Sequence, residues 1–221
     1  MVEETPQNHL SYAIHEERKD PKAGFHRLDI ILRETTEDQL YGVREIELRL
    51  LTPERKQDAI RGNKTTFTHQ WKQDKTYKVV PGRIYLTYEG GKKLEFFTFG
   101  GNISIQGDEE KTHCTLESPA PIFQLNEVET LNTAFIEEVE ILLAQEHAKW
   151  GDDDQVYWKH ITQTPPLTLY ASCLFTLQEK LEHNGYKRIR RVQELSGFIK
   201  REIENLEMEN IPRLSSLSEK A

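Results

Sequence analysis

The chain has 221 residues, of which 36% are hydrophobic and 30% are charged. This balance is typical of a globular protein and argues against a disordered chain. No apolar run approaches the roughly 20 residues that a membrane-spanning helix needs. The N-terminal sequence MVEETPQNHL lacks the basic and apolar regions of a signal peptide, so we expect a cytoplasmic protein. Cys114 and Cys173 have no partner at metal-ligand spacing and are expected to be buried thiols.

Charge is unevenly distributed along the chain. Residues 126–155 carry nine Asp or Glu and one Lys, whereas residues 186–201 carry six Lys or Arg and one Glu. The net charge of −8 makes nucleic acid an unlikely partner, because phosphate binding relies on an excess of Lys and Arg. The basic segment instead favours a charged protein partner or the acidic segment of the chain itself.

Up to about residue 120 the hydrophobic residues alternate, as in half-buried strands. In VREIELRLL, Ile46, Leu48 and Leu50 lie on one face of a predicted strand. The stretch RIYLTYEGGKKLEFFTFGGNISIQG predicts a β-meander of three strands with Gly-containing turns, and its short connections make the sheet antiparallel. Weaker strands are predicted at 25–33, 65–71, 77–80 and 113–116.

These patterns predict an α+β protein. Residues 23–120 should form an N-terminal antiparallel sheet, shaped as a curved sheet, sandwich or partly closed barrel. Residues 121–210 should form three C-terminal helices that pack on the sheet or make a small helical domain. We expect residues 1–22 to be a flexible N-terminal segment and residues 211–221 a frayed tail.

The first predicted helix begins with a capping box and carries an apolar stripe centred on Phe135. Glu137, Glu138 and Glu140 are predicted to form its solvated face. Glu146 falls only about 20° from the centre of the stripe, so we expect it to be paired or exposed at the helix end. It is also the candidate catalytic carboxylate, because carboxylates held close to a core are sometimes functional.

The other two helices are predicted from their caps and periodicity. Thr164 is expected to be the N-cap of the second helix with Pro165 at its first position, and this helix should be the most buried. The third should run from about Tyr186 to Glu209. Its apolar face would be formed by Ile189, Val192, Ile199, Ile203 and Leu206.

Metal binding is a weak possibility in the loop after the first helix. Asp152, Asp153 and Asp154 could offer oxygen ligands to a hard cation, but their spacing does not match a calcium-binding loop. His147 and His160 are not in a His-Glu-x-x-His motif, and we expect an irregular loop between them. We therefore expect an acidic turn, no bound metal and no cofactor.

The chain contains no nucleophile elbow, phosphate loop or dinucleotide fingerprint. We interpret it as a non-catalytic protein-binding, regulatory or assembly module. The alternatives are a carboxylate- or metal-dependent hydrolase or transferase, and small apolar ligand binding by the sheet. Basic residues on the third helix oppose its dipole, which favours an acidic protein surface as partner, and its apolar face permits a homo-oligomer. These candidate partner-binding residues are Lys187, Arg188, Arg190, Arg191, Lys200 and Arg201.

Overall fold

In the residues that it describes, a computed structural model of the chain contains nine strands followed by four helices, which confirms the predicted α+β class. The described residues divide into two compact units, one formed by strands within 14–122 and the other by residues 123–206. The predicted domain limits stay predictions. The structure describes residues 14–20, 25–36, 39–50, 75–88, 93–107, 111–125, 131–149, 154–183 and 192–206.

The first unit is an antiparallel sheet. Its strands are β1 (Ile14–Asp20), β2 (Phe25–Thr36), β3 (Gln39–Leu50), β4 (Lys75–Val79), β5 (Gly82–Tyr88), β6 (Lys93–Thr98), β7 (Gly101–Gly107) and β8 (Lys111–Ser118). They are hydrogen-bonded in the order β4-β7-β8-β2-β3-β5-β6, with β1 beside β2. The order does not return to β4 within the described strands, so the sheet is open. A short strand β9 (Phe123–Gln124) belongs to the second unit.

Register shifts interrupt the pairing of the long strands β2 and β3. The register of β2 against β8 shifts between Ile31 and Arg33. The register of β3 against β5 shifts between Val43 and Glu45, just after β3 leaves β2. Bulges of this kind bend a strand and increase its twist, as the curved form among the predicted sheet shapes would require.

The core of the first unit follows from strand alternation. Leu28 and Ile30 of β2 are buried, whereas the neighbouring Arg27 is exposed and Asp29 is half-buried. The same period of two places apolar residues of neighbouring strands against them. The cluster contains Leu28, Ile30, Val79, Ile84, Leu86, Leu94, Phe96, Ile103, Ile105, Cys114, Leu116 and Ile122.

The predicted meander is correct for its first two strands and wrong for the third. β5 pairs with β6, but β7 pairs with β4 and β8 instead of β6. The chain leaves β6 through Gly100 and Gly101, whose φ angles of 124° and 143° are unfavourable for other residues. The Thr98 hydroxyl donates to the Gly100 carbonyl at 3.0 Å and accepts from its N–H at 3.1 Å, which fixes the turn.

Strand positions otherwise agree with the sequence within a few residues. The strand predicted at 65–71 lies outside the described residues. β1 lies inside the N-terminal segment that was predicted to be flexible, and it pairs with β2 from Ile14 to Asp20. Its charged sequence IHEERKD has no alternating apolar pattern, which is why periodicity did not indicate it.

The second unit contains four described helices where three were predicted: α1 (Leu131–Lys149), α2 (Asp154–Gln163), α3 (Pro166–Glu182) and α4 (Val192–Asn205). The additional helix α2 occupies part of the predicted irregular loop. It buries Tyr157 and Ile161, which are one helical turn apart. No helix in these four described ranges is long and apolar enough to cross a membrane.

The predicted start of α3 is wrong by one residue, and the predicted N-cap residue is also wrong. Pro165 is the N-cap residue, with no side-chain capping bond, and Pro166 begins the helix. Thr164 instead closes α2, because its N–H and hydroxyl donate to the His160 carbonyl at 2.8 and 2.7 Å. Every residue from Leu169 to Leu174 of α3 is buried, and that α3 is the most buried helix stays a prediction.

The apolar face of α4 packs on α3 and α1 of the same chain. Ile199 is fully buried as predicted, but Leu195 replaces Val192, which is 45% exposed. Val192 is the first residue of the helix, so it extends beyond the surface that covers the later turns. The predicted helix limits at Tyr186 and Glu209, the capping box before α1 and the tail at 211–221 lie outside the described residues.

Candidate functional site

Glu146 lies in the last turns of α1 and is only 5% exposed. The Lys149 ammonium, on a side chain that is 55% exposed, donates to Glu146 Oε1 at 2.5 Å. The carboxylate therefore faces the core, as its position on the helix predicted, and is neutralised by a neighbour one turn away. The structure shows the paired state, and a catalytic role for Glu146 stays a prediction.

Two groups on α3, Lys180 and Cys173, lie near this ion pair. Lys180 donates to Gln145 Oε1 at 2.7 Å, and burial lowers its pKa while the nearby Glu146 opposes that shift. Cys173 is fully buried, and burial followed by the charge of Glu146 raises its pKa. A thiol in this environment stays protonated, and the protonated form is a poor nucleophile. The arrangement is that of a structural polar cluster.

Glu138 was predicted to be solvated, and this is wrong because it is only 7% exposed. α1 contacts both α3 and α4, so its buried arc is wider than the single stripe that was used to place the carboxylates. Glu137 on the opposite side of the helix is exposed, as predicted, and Glu140 is half-buried.

The predicted metal candidates that the structure describes lie on two different helices, His147 on α1 and His160 on α2. The His147 ring makes an edge contact with Tyr157, with 4.7 Å between ring centroids, and the Tyr157 hydroxyl donates to the Leu143 carbonyl at 3.1 Å. His160 lies near the end of α2 and Asp154 at its start. Within the described residues, no three His, Cys, Asp or Glu side chains form a metal-ligating group. Asp152 and Asp153 lie outside those residues.

The candidate partner-binding residues are partly visible. Lys200 and Arg201 are both exposed on the outer side of α4. Neither forms an ion pair with another described residue. Lys187, Arg188, Arg190 and Arg191 precede α4 and lie outside the described residues.

The sequence analysis missed an aromatic cluster on the inner side of α4. The Phe198 ring lies 5.1 Å from the Phe135 ring and 6.4 Å from the Phe123 ring, centroid to centroid. The Tyr170 hydroxyl donates to Glu202 Oε2, and burial together with this bond raises the pKa of Tyr170. Phe198 and Glu202 are four residues apart, which places them on the same face of a helix. This spacing was the signal in the sequence that could have indicated the cluster.

No protein-family model matches this chain, and no curated protein matches it. One similar solved structure is a chain in the cryo-EM structure of the Euglena gracilis mitochondrial ATP synthase, OSCP/F1/c-ring in rotational state 1. The two chains are 18% identical, the match covers 77% of this chain and 96% of that one, and the TM-score is 0.31.

Proposed function

We propose that this chain is a non-catalytic protein-binding, regulatory or assembly module that binds an acidic protein surface through the outer side of α4. The observation that carries the proposal is the adjacent pair Lys200 and Arg201, exposed and without an ion pair to another described residue. The sequence continues this basic character through the four Lys and Arg residues before α4.

The polar contacts of the second unit support a binding role over catalysis. The Lys149 ammonium engages Glu146, and Cys173 is fully buried with its pKa raised. The Tyr157 hydroxyl is bonded to a backbone carbonyl inside the unit. In these contacts the potentially reactive groups stabilise the packing of the helices. The exposed cations on α4, by contrast, are available to a partner.

Charge reversal on α4 tests the proposal. The variant with Lys200→Glu and Arg201→Glu should keep its circular dichroism spectrum, because both side chains are exposed. In a pull-down from native lysate followed by mass spectrometry, it should lose partners that the wild-type chain retains. The loss should be largest at low salt, where screening is weakest.

A matched control reverses two exposed cations elsewhere, Lys78→Glu on β4 and Lys159→Glu on α2. It changes the net charge by the same amount, so it should keep the partners that the α4 variant loses. If both variants lose them equally, only the overall charge matters and the α4 site is rejected. If neither variant loses any partner at low or high salt, the outer side of α4 is a solvated face.

The cytoplasmic location of the protein stays part of this proposal.

A further inference from the structure

Gly197 lies near the middle of α4, on the exposed outer side of the helix. Glycine is less favourable than alanine inside a helix, so it lowers stability unless something requires the absence of a side chain. The backbone at Gly197 is helical, and a built Cβ would meet no atom within 4 Å apart from the adjoining residues and the backbone of the helix itself. Within the described part of the chain, packing therefore gives no reason for a glycine at this position.

The missing side chain at Gly197 leaves a gap among long polar side chains. The neighbours of a residue on a helix surface are the residues three and four positions away. For Gly197 these are Gln193, Glu194, Lys200 and Arg201, and all four are exposed. We call Gly197 with these four residues the notch. Its charges are ordered along α4, with one carboxylate towards the N-terminal end and two cations towards the C-terminal end.

A helix is the element of a partner that fits this surface. The N–H and C=O groups in the middle of a helix are bonded within it, so the outer side of α4 offers no backbone hydrogen bonds to a strand or a loop. A partner helix brings its own backbone bonds and needs only side-chain contacts. Packed helix axes lie about 8–10 Å apart, depending on the side chains at the contact, and a glycine at the crossing point permits the short end of that range.

We propose that the partner of the outer side of α4 is an acidic α-helix that crosses α4 at Gly197 and places its carboxylates against Lys200 and Arg201. This assignment rests on the proposed function and names the element of the partner that the basic site recognises. Charge complementarity favours acidic residues in the part of the crossing helix beside the two cations and disfavours them beside Glu194. The notch sets how closely the two helices approach, and the ordered charges set their orientation.

Filling the notch separates this inference from the proposed function. Gly197→Leu should keep the circular dichroism spectrum, because the position is open and leucine favours a helix. It should nevertheless reduce, by at least about tenfold, the recovery of the partners that Lys200→Glu with Arg201→Glu loses, because the larger side chain holds the crossing helix away. Gly197→Ala, which adds one methyl group, should cause a smaller loss. Gln193→Ala, at the edge of the notch, is the matched control and should keep those partners.

A synthetic helix tests the chemistry of the partner directly. The probe is an alanine-based peptide that is helical in water and carries two Glu residues four positions apart, added at low salt to the isotopically labelled wild-type chain. The amide signal of Gly197, assigned by its absence from the Gly197→Ala spectrum, should shift as peptide is added, and high salt should remove the shift. The same peptide with a central proline, which breaks the helix, should need at least about tenfold more peptide for an equal shift. A version with Lys in place of Glu should need a similar excess.

The outcomes distinguish the two proposals. If Lys200→Glu with Arg201→Glu loses no partner, the proposed function and this inference both fail. If that charge reversal loses partners but Gly197→Leu keeps them, or if Gln193→Ala loses as much as Gly197→Leu does, only the crossing helix is rejected. The crossing helix is equally rejected if the helical and proline-containing peptides shift the Gly197 signal alike, since charge alone is then recognised, or if no peptide shifts it. Should Gly197→Leu lose its folded spectrum, Gly197→Ala makes the same comparison with a smaller side chain.

Discussion

The structure leaves no room for a Cβ atom at Gly101. Its φ of 143° is rarely adopted by other residues, and a Cβ built there would lie 2.1 Å from the carbonyl oxygen of Glu117. Since both the backbone conformation and the approach of β7 to β8 would have to change, Gly101→Ala should lower the free energy of unfolding by roughly 3 kcal/mol. Chemical denaturation followed by circular dichroism measures this change.

Gly197 is the matched control for that substitution. It lies in α4, where a built Cβ would meet no atom within 4 Å apart from the adjoining residues and the backbone of the helix itself. Alanine is favoured over glycine inside a helix by about 1 kcal/mol, so Gly197→Ala should be neutral or stabilising. Equal effects of the two substitutions would show that the close approach at Gly101 is not a constraint on the fold.

A substitution of Glu146 tests whether its carboxylate is structural. Glu146→Gln keeps the size of the side chain and removes the charge that Lys149 neutralises, and Lys149 can turn to solvent. We therefore expect a loss of about 1 kcal/mol in the free energy of unfolding, measured by urea denaturation. Glu137→Gln, on the exposed side of the same helix, should change it by less than about 0.5 kcal/mol. If an activity is found and Glu146→Gln abolishes it while the chain stays folded, the carboxylate is catalytic.

The contact between α3 and α4 should weaken in alkaline solution. Burial and the bond to Glu202 raise the pKa of Tyr170, so its hydroxyl stays protonated in the folded chain at pH values where it ionises in the unfolded one. Its contribution is complete below the ordinary tyrosine pKa of about 10 and is lost as the pH rises from there towards the folded-state value. The free energy of unfolding should therefore fall above about pH 10, by up to about 1.4 kcal/mol per pH unit for this group.

Tyr170→Phe isolates that contribution. The variant should be less stable than wild type near neutral pH, by about 1 kcal/mol, because it lacks the hydrogen bond to Glu202. The difference between the two proteins should shrink above about pH 10. The buried thiols also affect the alkaline limb, since burial raises the pKa of Cys114 to about 12, but they are common to both proteins. A difference that does not change with pH would contradict the role assigned to the Tyr170 hydroxyl.

Elements with a strong local period were predictable from sequence. The alternation in VREIELRLL and the turn between β5 and β6 indicated strands that the structure contains. The apolar circumference of α3 likewise indicated a buried helix. The departure of β7 from β6 was not predictable, because the pairing of β7 with β4 is set by contacts distant in sequence.

The candidate site was likewise predictable from sequence only in part. The direction of Glu146 followed from the helical angle, whereas the burial of Glu138 depends on two helices packing against α1. α2 was missed because the spacing of Tyr157 and Ile161 is too short a pattern to distinguish a helix from a loop. The partnership of Tyr170 with Glu202 joins residues 32 apart, and no local pattern indicates it.

At the scale of the whole molecule, we expect the purified chain to hold no stoichiometric metal. Cys114 and Cys173 lie in different compact units, and burial raises the pKa of both thiols, whereas the thiolate is the metal-binding form. The described residues contain no group of three potential ligands, and the His147 ring packs against Tyr157.

Metal content should be measured by mass spectrometry after gel filtration without chelator, with a chelator-treated sample as control. Both samples should contain well under one metal per chain and have the same melting temperature, because no folding energy comes from a metal. Stoichiometric zinc or another transition metal in the untreated sample would contradict this prediction. It would then direct attention to Asp152, Asp153 and His160, and Asp152→Asn with Asp153→Asn should remove the metal if those aspartates bind it.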